Sequence, residues 1–89
     1  MKIIDIKIRK YTGFTFINTC TVFLEKNNSF VMDINTGTNQ YGIRTVTKEG
    51  KQEDICIILQ FNSLIQAITY VMKTYYNDRD KKDKENKTS

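Results

Sequence analysis

The sequence predicts an α+β fold: a four- to five-stranded antiparallel β-meander with one C-terminal α-helix packed on one face. Three observations predict it. Apolar residues recur at every second position along several stretches, the links between those stretches are short, and one stretch with helical spacing follows them. Parallel pairing needs crossovers of about a dozen residues, which no link supplies, so the strands are expected to pair antiparallel in chain order.

The first strand is expected over "IIDIKIRKY", Ile3 to Tyr11. Ile4, Ile6 and Ile8 fall on one side of an extended chain, and Asp5, Lys7, Arg9 and Tyr11 on the other. After Thr12-Gly13 comes "FTFINTCTVFLEK", Phe14 to Lys26, rich in β-branched and aromatic residues with apolar side chains on both parities. Its length exceeds that of an ordinary strand, so a bend or bulge is expected near Asn18. Lys26-Asn27-Asn28-Ser29 reads as a tight hairpin, because Asn tolerates positive φ. A third strand runs from about Ser29 to Asn35, and "TGTNQ" forms a polar loop. A fourth spans Tyr41 to Thr47, and a fifth, Asp54 to Phe61, follows a turn at Glu49-Gly50-Lys51.

The helix follows. Ser63-Leu64-Ile65-Gln66 fits a capping box, in which the serine hydroxyl and the glutamine side chain satisfy free amides of the first turn. Leu64, Ile65, Ile68, Val71, Met72 and Tyr75 then form one apolar stripe, expected to end near Asn77. "NDRDKKDKENKTS", residues 77–89, has no apolar side chain and is expected to be a disordered charged tail, leaving residues 1–76 as one domain.

The chain has 89 residues and a formal net charge of +4, from 14 Lys and Arg against 10 Asp and Glu. A domain of this size buries only about 60% of its unfolded surface, so docking on a partner or a second copy helps it. The positive excess is mild, compatible with nucleic acid or an acidic protein. Phe, Tyr, Met, Ile, Asn and Lys, all with A/T-rich codons, fill roughly half the positions, as in small accessory proteins of viruses and mobile elements. Charge interrupts the N-terminus too early for a signal peptide, and no apolar run spans a bilayer, so a cytoplasmic location without membrane contact is expected. Cys20 and Cys56 read as free core thiols; a disulfide requires neighbouring strands with both side chains on one face.

Catalytic apparatus is sparse. Histidine is absent, which removes the commonest general base and metal ligand, and two isolated cysteines make no zinc site. The four glycines are scattered rather than gathered in a phosphate loop. Glu49, Glu53 and Asp54 form the one acidic cluster, read as a solvated hairpin tip rather than an acid–base pair or Mg²⁺ site. The expectation is a non-enzymatic protein without metal or cofactor.

One helix of about 14 residues is roughly 21 Å long and covers one face of such a sheet, not both. The second face is therefore expected to meet a partner. If Ile4, Ile6 and Ile8 point at the helix, Lys7, Arg9 and Tyr11 lie on that second face, where cations follow phosphates and aromatic rings stack on bases. The plainer account is a solvated face of long side chains. Tyr41 and Arg44, at the edge of the "NTGTNQ" loop, complete the expected binding set, since Tyr and Arg dominate interface hot spots; the plainer account makes Tyr41 a core residue and Arg44 a surface one. In element order alone, the chain resembles the single-stranded-DNA-binding domains of the transcriptional-coactivator type, which implies a sheet face for single strands and carries over no residue.

Two functions from different classes follow as expectations. One is binding of single-stranded DNA or RNA through the basic and aromatic sheet face. The other is a small viral or mobile-element accessory protein that binds a host protein and inhibits or modulates it. A symmetric homodimer fits either.

Overall fold

The computed structural model describes residues 1–10 and 17–76. Tyr11, the Thr12-Gly13 turn, Phe14, Phe16 and the tail 77–89 lie outside the described residues. Five strands precede one helix: β1 (Ile3–Lys10), β2 (Ile17–Leu24), β3 (Asn28–Asn35), β4 (Gln40–Lys48), β5 (Lys51–Gln60) and α1 (Leu64–Val71). The helix continues into a π-helical turn, Met72–Tyr76. The strands form a single sheet in the order β1-β2-β3-β4-β5, each antiparallel to its neighbours.

The turns explain the meander. Lys26 and Asn27 both take positive φ (62° and 59°), as do Glu49 and Gly50 (50° and 84°), reversing the chain within a few residues. Asn28, almost fully buried, links the two hairpins: its Nδ2 donates to the Glu25 carbonyl at 2.7 Å, and its Oδ1 accepts from the Glu49 N–H at 2.8 Å. The Gly50 N–H adds a bond to the Asn27 carbonyl at 3.0 Å.

Register places the core. On the helix side, one cross-strand row runs Ile6, Val22, Phe30, Val46, Glu53, and the next runs Ile8, Cys20, Met32, Ile43, Ile57. Ala67, Ile68 and Val71 of α1 and Tyr76 of the π turn close over the β2–β4 members of these rows, all buried, with Ile55, Ile57 and Leu59 half-buried against them. Each large apolar side chain buried there contributes about 1.5–3 kcal/mol. Tyr76 fixes the far end of the helix. Its ring packs on Phe30 at 6.1 Å between centroids, and its hydroxyl lies 2.7 Å from the Ser29 carbonyl and 2.9 Å from that of Thr47.

Several expectations are corrected. β2 pairs with β3 without interruption, so there is no bulge at Asn18; the irregularities lie at Ile4, at Arg44 and at Ile55-Cys56. Cys56 is exposed, with φ 55°, because it stands on the β5 bulge rather than in the core; Cys20 is buried, and β3 and β4 separate the strands carrying the two thiols. Ile65 faces solvent and Ala67 takes the inward position. The wider π turn then brings Tyr76 onto the sheet, beyond the reach of a strict 3.6-residue stripe. The cap holds: the Ser63 hydroxyl accepts from the Gln66 N–H at 3.3 Å, while the Gln66 side chain accepts from the Asn62 N–H at 2.9 Å, one residue earlier than a standard capping box.

The largest departure concerns β1. Ile6 and Ile8 do lie on the helix side, yet they remain 41% and 54% exposed, and Ile4, at the bulge, is 67% exposed. The helix packs over β2 to β5 and stops short of the first strand. Its coverage therefore fails on part of its own face.

Candidate interaction surface

Two surfaces meet along β1: the strand's open edge, with its isoleucines, and the sheet face away from the helix. The edge is built by the backbone. The Glu25 N–H donates to the Lys2 carbonyl at 3.1 Å, so β2 residues at the parity of Glu25, namely Phe23, Thr21 and Thr19, bond across to β1. Alternation then directs the amides and carbonyls of Ile6 and Ile8 outward, where no strand among the described residues follows. The Ile6 N–H is bonded by the Asp5 carboxylate at 2.8 Å. Every residue of β1 is exposed. Natural sheets usually blunt an open strand edge with charge, proline or a bulge; β1 has a bulge at Ile4 and charge at Asp5, Lys7, Arg9 and Lys10, yet keeps regular pairing from Asp5 onward.

The other edge is blunted in that way. β5 begins Lys51-Gln52-Glu53-Asp54, and its bulge at Ile55-Cys56, with Cys56 at positive φ, breaks its outer line. Both edges thus carry charge and a bulge; they differ in that the β5 bulge falls in mid-strand, whereas that of β1 lies at Ile4 and leaves Asp5 to Lys10 in regular register.

On the outer face, the register aligns Lys7 with Thr21, Val31, Thr45 and Asp54, and Arg9 with Thr19, Asp33, Gly42 and Ile58. The Lys7 ammonium sits 5.8 Å from the centroid of the Phe23 ring, which is 37% exposed. Arg44 does not present a free cation: its Nε donates to Asp33 Oδ2 at 3.0 Å and its Nη2 to Oδ1, while Thr19 adds a 3.4 Å contact to the same carboxylate. Asp5, Asp33 and Asp54 interleave with Lys7, Arg9 and Arg44, so the face is mixed in charge rather than a basic stripe. A groove of about 370 Å³ opens over Gly42, between Ile17 and Ile58, with Asp33 and Arg44 at its rim.

The expected site residues therefore separate. Lys7 and Arg9 stand together on β1, and Arg44 lies on the same face in an ion pair. Tyr41 is 6% exposed on the helix side, its ring edge-on to Phe61 at 5.8 Å, so it belongs to the core and is out of reach of a partner on the outer face. Tyr11 lies outside the described residues. Sequence reasoning missed Phe23 as the companion of Lys7, because only the register brings them together. It also missed the bare edge, although a meander in chain order makes its first strand an edge. The Asn35–Gln40 loop is occupied with its own turn: Asn35 Oδ1 accepts from the Gly37 N–H at 3.0 Å, and the Gln60 side chain donates to the Thr38 carbonyl at 3.2 Å.

Glu53 and Asp54 project to opposite faces, which separates the acidic cluster. Among the described residues, no three or more His, Cys, Asp or Glu side chains are grouped to hold a metal ion. Among the same residues, no helix is long and apolar enough to cross a membrane. The chain matches no protein-family model, and no curated protein or solved structure matches it either.

Proposed function

We propose that this protein is a non-enzymatic interaction module that recognises a protein partner by accepting a strand along β1. One observation supports the reading above all: β1 is an edge strand with outward backbone groups and exposed Ile4, Ile6 and Ile8, regular from Asp5 to Lys10, whereas the β5 edge is broken in mid-strand by its bulge. Backbone hydrogen bonds supply affinity in such pairing, and the alternate side chains select the partner. An accessory protein that inhibits or modulates a host protein fits this mode, since strand addition needs no catalytic group. Capture experiments test it. Wild type and Ile6→Lys serve as baits in a lysate of a suitable host; a protein retained stoichiometrically by wild type and lost with the edge variant is expected. Identical recoveries from both baits would reject strand addition on β1.

A second reading, single-stranded nucleic acid on the outer face, is favoured by one contact, the Lys7 ammonium over the exposed Phe23 ring with Arg9 nearby. The interleaved carboxylates oppose it. Oligonucleotide titrations at two salt concentrations decide the matter: binding that weakens with salt and falls about tenfold in Phe23→Ala supports this reading. No shift at low salt removes it.

A further inference from the structure

We infer that a second copy of this chain occupies the β1 edge, pairing antiparallel about a two-fold axis at Ile6. This deepens the strand-addition reading and rests on it. The inference comes from the side-chain sequence of the edge itself. Like faces must match in a continuous sheet, and the outward backbone groups belong to Ile6 and Ile8, so only registers that set an even-numbered residue against an even-numbered residue are in phase.

Among those registers, one is self-complementary. With Ile6 opposite its own copy, Asp5 faces Lys7 of the second chain, Lys7 faces Asp5, and Ile8 comes opposite the bulge at Ile4. Moving one step toward the C-terminus sets Lys7 against Lys7. Moving one step the other way sets Asp5 against Asp5, and a register centred on Ile8 sets Lys7 against Arg9. Directly opposed like charges destabilise a ladder and opposite ones support it. A register centred on Ile4 avoids like side-chain pairs too but sets Ile6 against Lys2; of the registers that keep Ile6 against an isoleucine, the one centred on Ile6 alone avoids like pairs from Ile4 to Ile8. Beyond those residues Lys10 would oppose Lys2, which confines the ladder to that span.

The free chain is prepared for the exchange. The Asp5 carboxylate holds the outward Ile6 N–H at 2.8 Å. In the pair, the Ile6 N–H turns to the carbonyl of the facing Ile6, and Asp5 is released to the facing Lys7. Ile6 and Ile8 extend the two buried helix-side rows past Val22 and Cys20, so the second chain continues those rows and covers what α1 leaves bare.

Charge exchange tests this register. By light scattering and sedimentation at about 100 µM, the wild type is expected to be a dimer with Kd on the order of 1–100 µM. Asp5→Lys and Lys7→Asp, each confirmed as folded by circular dichroism, should each weaken dimerisation by about tenfold or more, since each puts two like pairs across the axis. The double variant Asp5→Lys/Lys7→Asp should restore it, which a merely surface-wide charge effect would not do. A monomeric wild type, single variants as dimeric as wild type, or a double variant that stays monomeric would each overturn the inference. A monomeric wild type whose captured partner is still lost in Ile6→Lys would overturn the dimer and leave strand addition by another protein standing.

Discussion

The Asn28 side-chain carbonyl accepts a 2.8 Å hydrogen bond from the Glu49 backbone N–H, tying the β2–β3 turn to the β4–β5 turn. The same side chain donates to the Glu25 carbonyl at 2.7 Å from a nearly solvent-free position. Asn28→Ala strands both backbone groups, so a loss of about 2 kcal/mol is expected. Urea unfolding should show a lower midpoint at an unchanged slope. A midpoint equal to wild type would mean that water replaces the side chain without cost.

Tyr76 confers an alkaline limit on stability. Burial pushes its phenol up to about 12 from the ordinary 10.0. Above the ordinary value the unfolded chain loses this proton while the folded chain keeps it, so the unfolded state binds fewer protons and stability falls as pH rises. The contribution is complete below pH 10 and is lost by about pH 12, on the order of 2 kcal/mol. Denaturation series across that window should show a shallower decline in Tyr76→Phe than in wild type, and parallel declines would assign the effect elsewhere.

The two thiols should differ in reactivity. Cys20 is buried on the helix side, and its burial raises its pKa, whereas Cys56 is exposed on the β5 bulge. A thiol reagent should modify Cys56 alone in the native protein and both residues in denaturant, as read by intact mass with peptide mapping. Equal native labelling would contradict the buried environment of Cys20.

Neighbouring isoleucines of α1 should separate cleanly. Ile68 closes over the core and Ile65 points into solvent. Ile68→Ala is expected to lose about 2–4 kcal/mol, and Ile65→Ala to stay within about 0.5 kcal/mol of wild type. Thermal unfolding checks both, and a large loss at Ile65 would mean that it is covered in solution by something outside the described residues.

Much of this architecture is legible in the residues. Alternation of parity, short links and the Ser63 cap suffice for five antiparallel strands and a closing helix, and the strand ends differ from expectation by a few residues. What escaped was set by pairing rather than periodicity. The bulge that exposes Cys56 depends on how β5 meets β4, and the π turn that buries Tyr76 depends on Ser29 and Thr47, far away in the chain. The parity of Lys7 and Arg9 against Ile6 and Ile8 was readable from the strand itself, since a two-residue period fixes relative faces. The company of Phe23 was not, because a hairpin's register cannot be read from one strand. Nor could sequence show where α1 lies across the sheet, and hence that Ile6 and Ile8 share its face without lying under it.

The asymmetry of the sheet's two margins sets a limit on how it can grow. One margin keeps an unbroken backbone line from Asp5 to Lys10; the other is interrupted in mid-strand by the kink at Cys56. A layer with two receptive margins can accrete copies without end and lengthen into a fibril, but on the proposed pairing each molecule has a single joint to give, so assembly is expected to terminate after one addition.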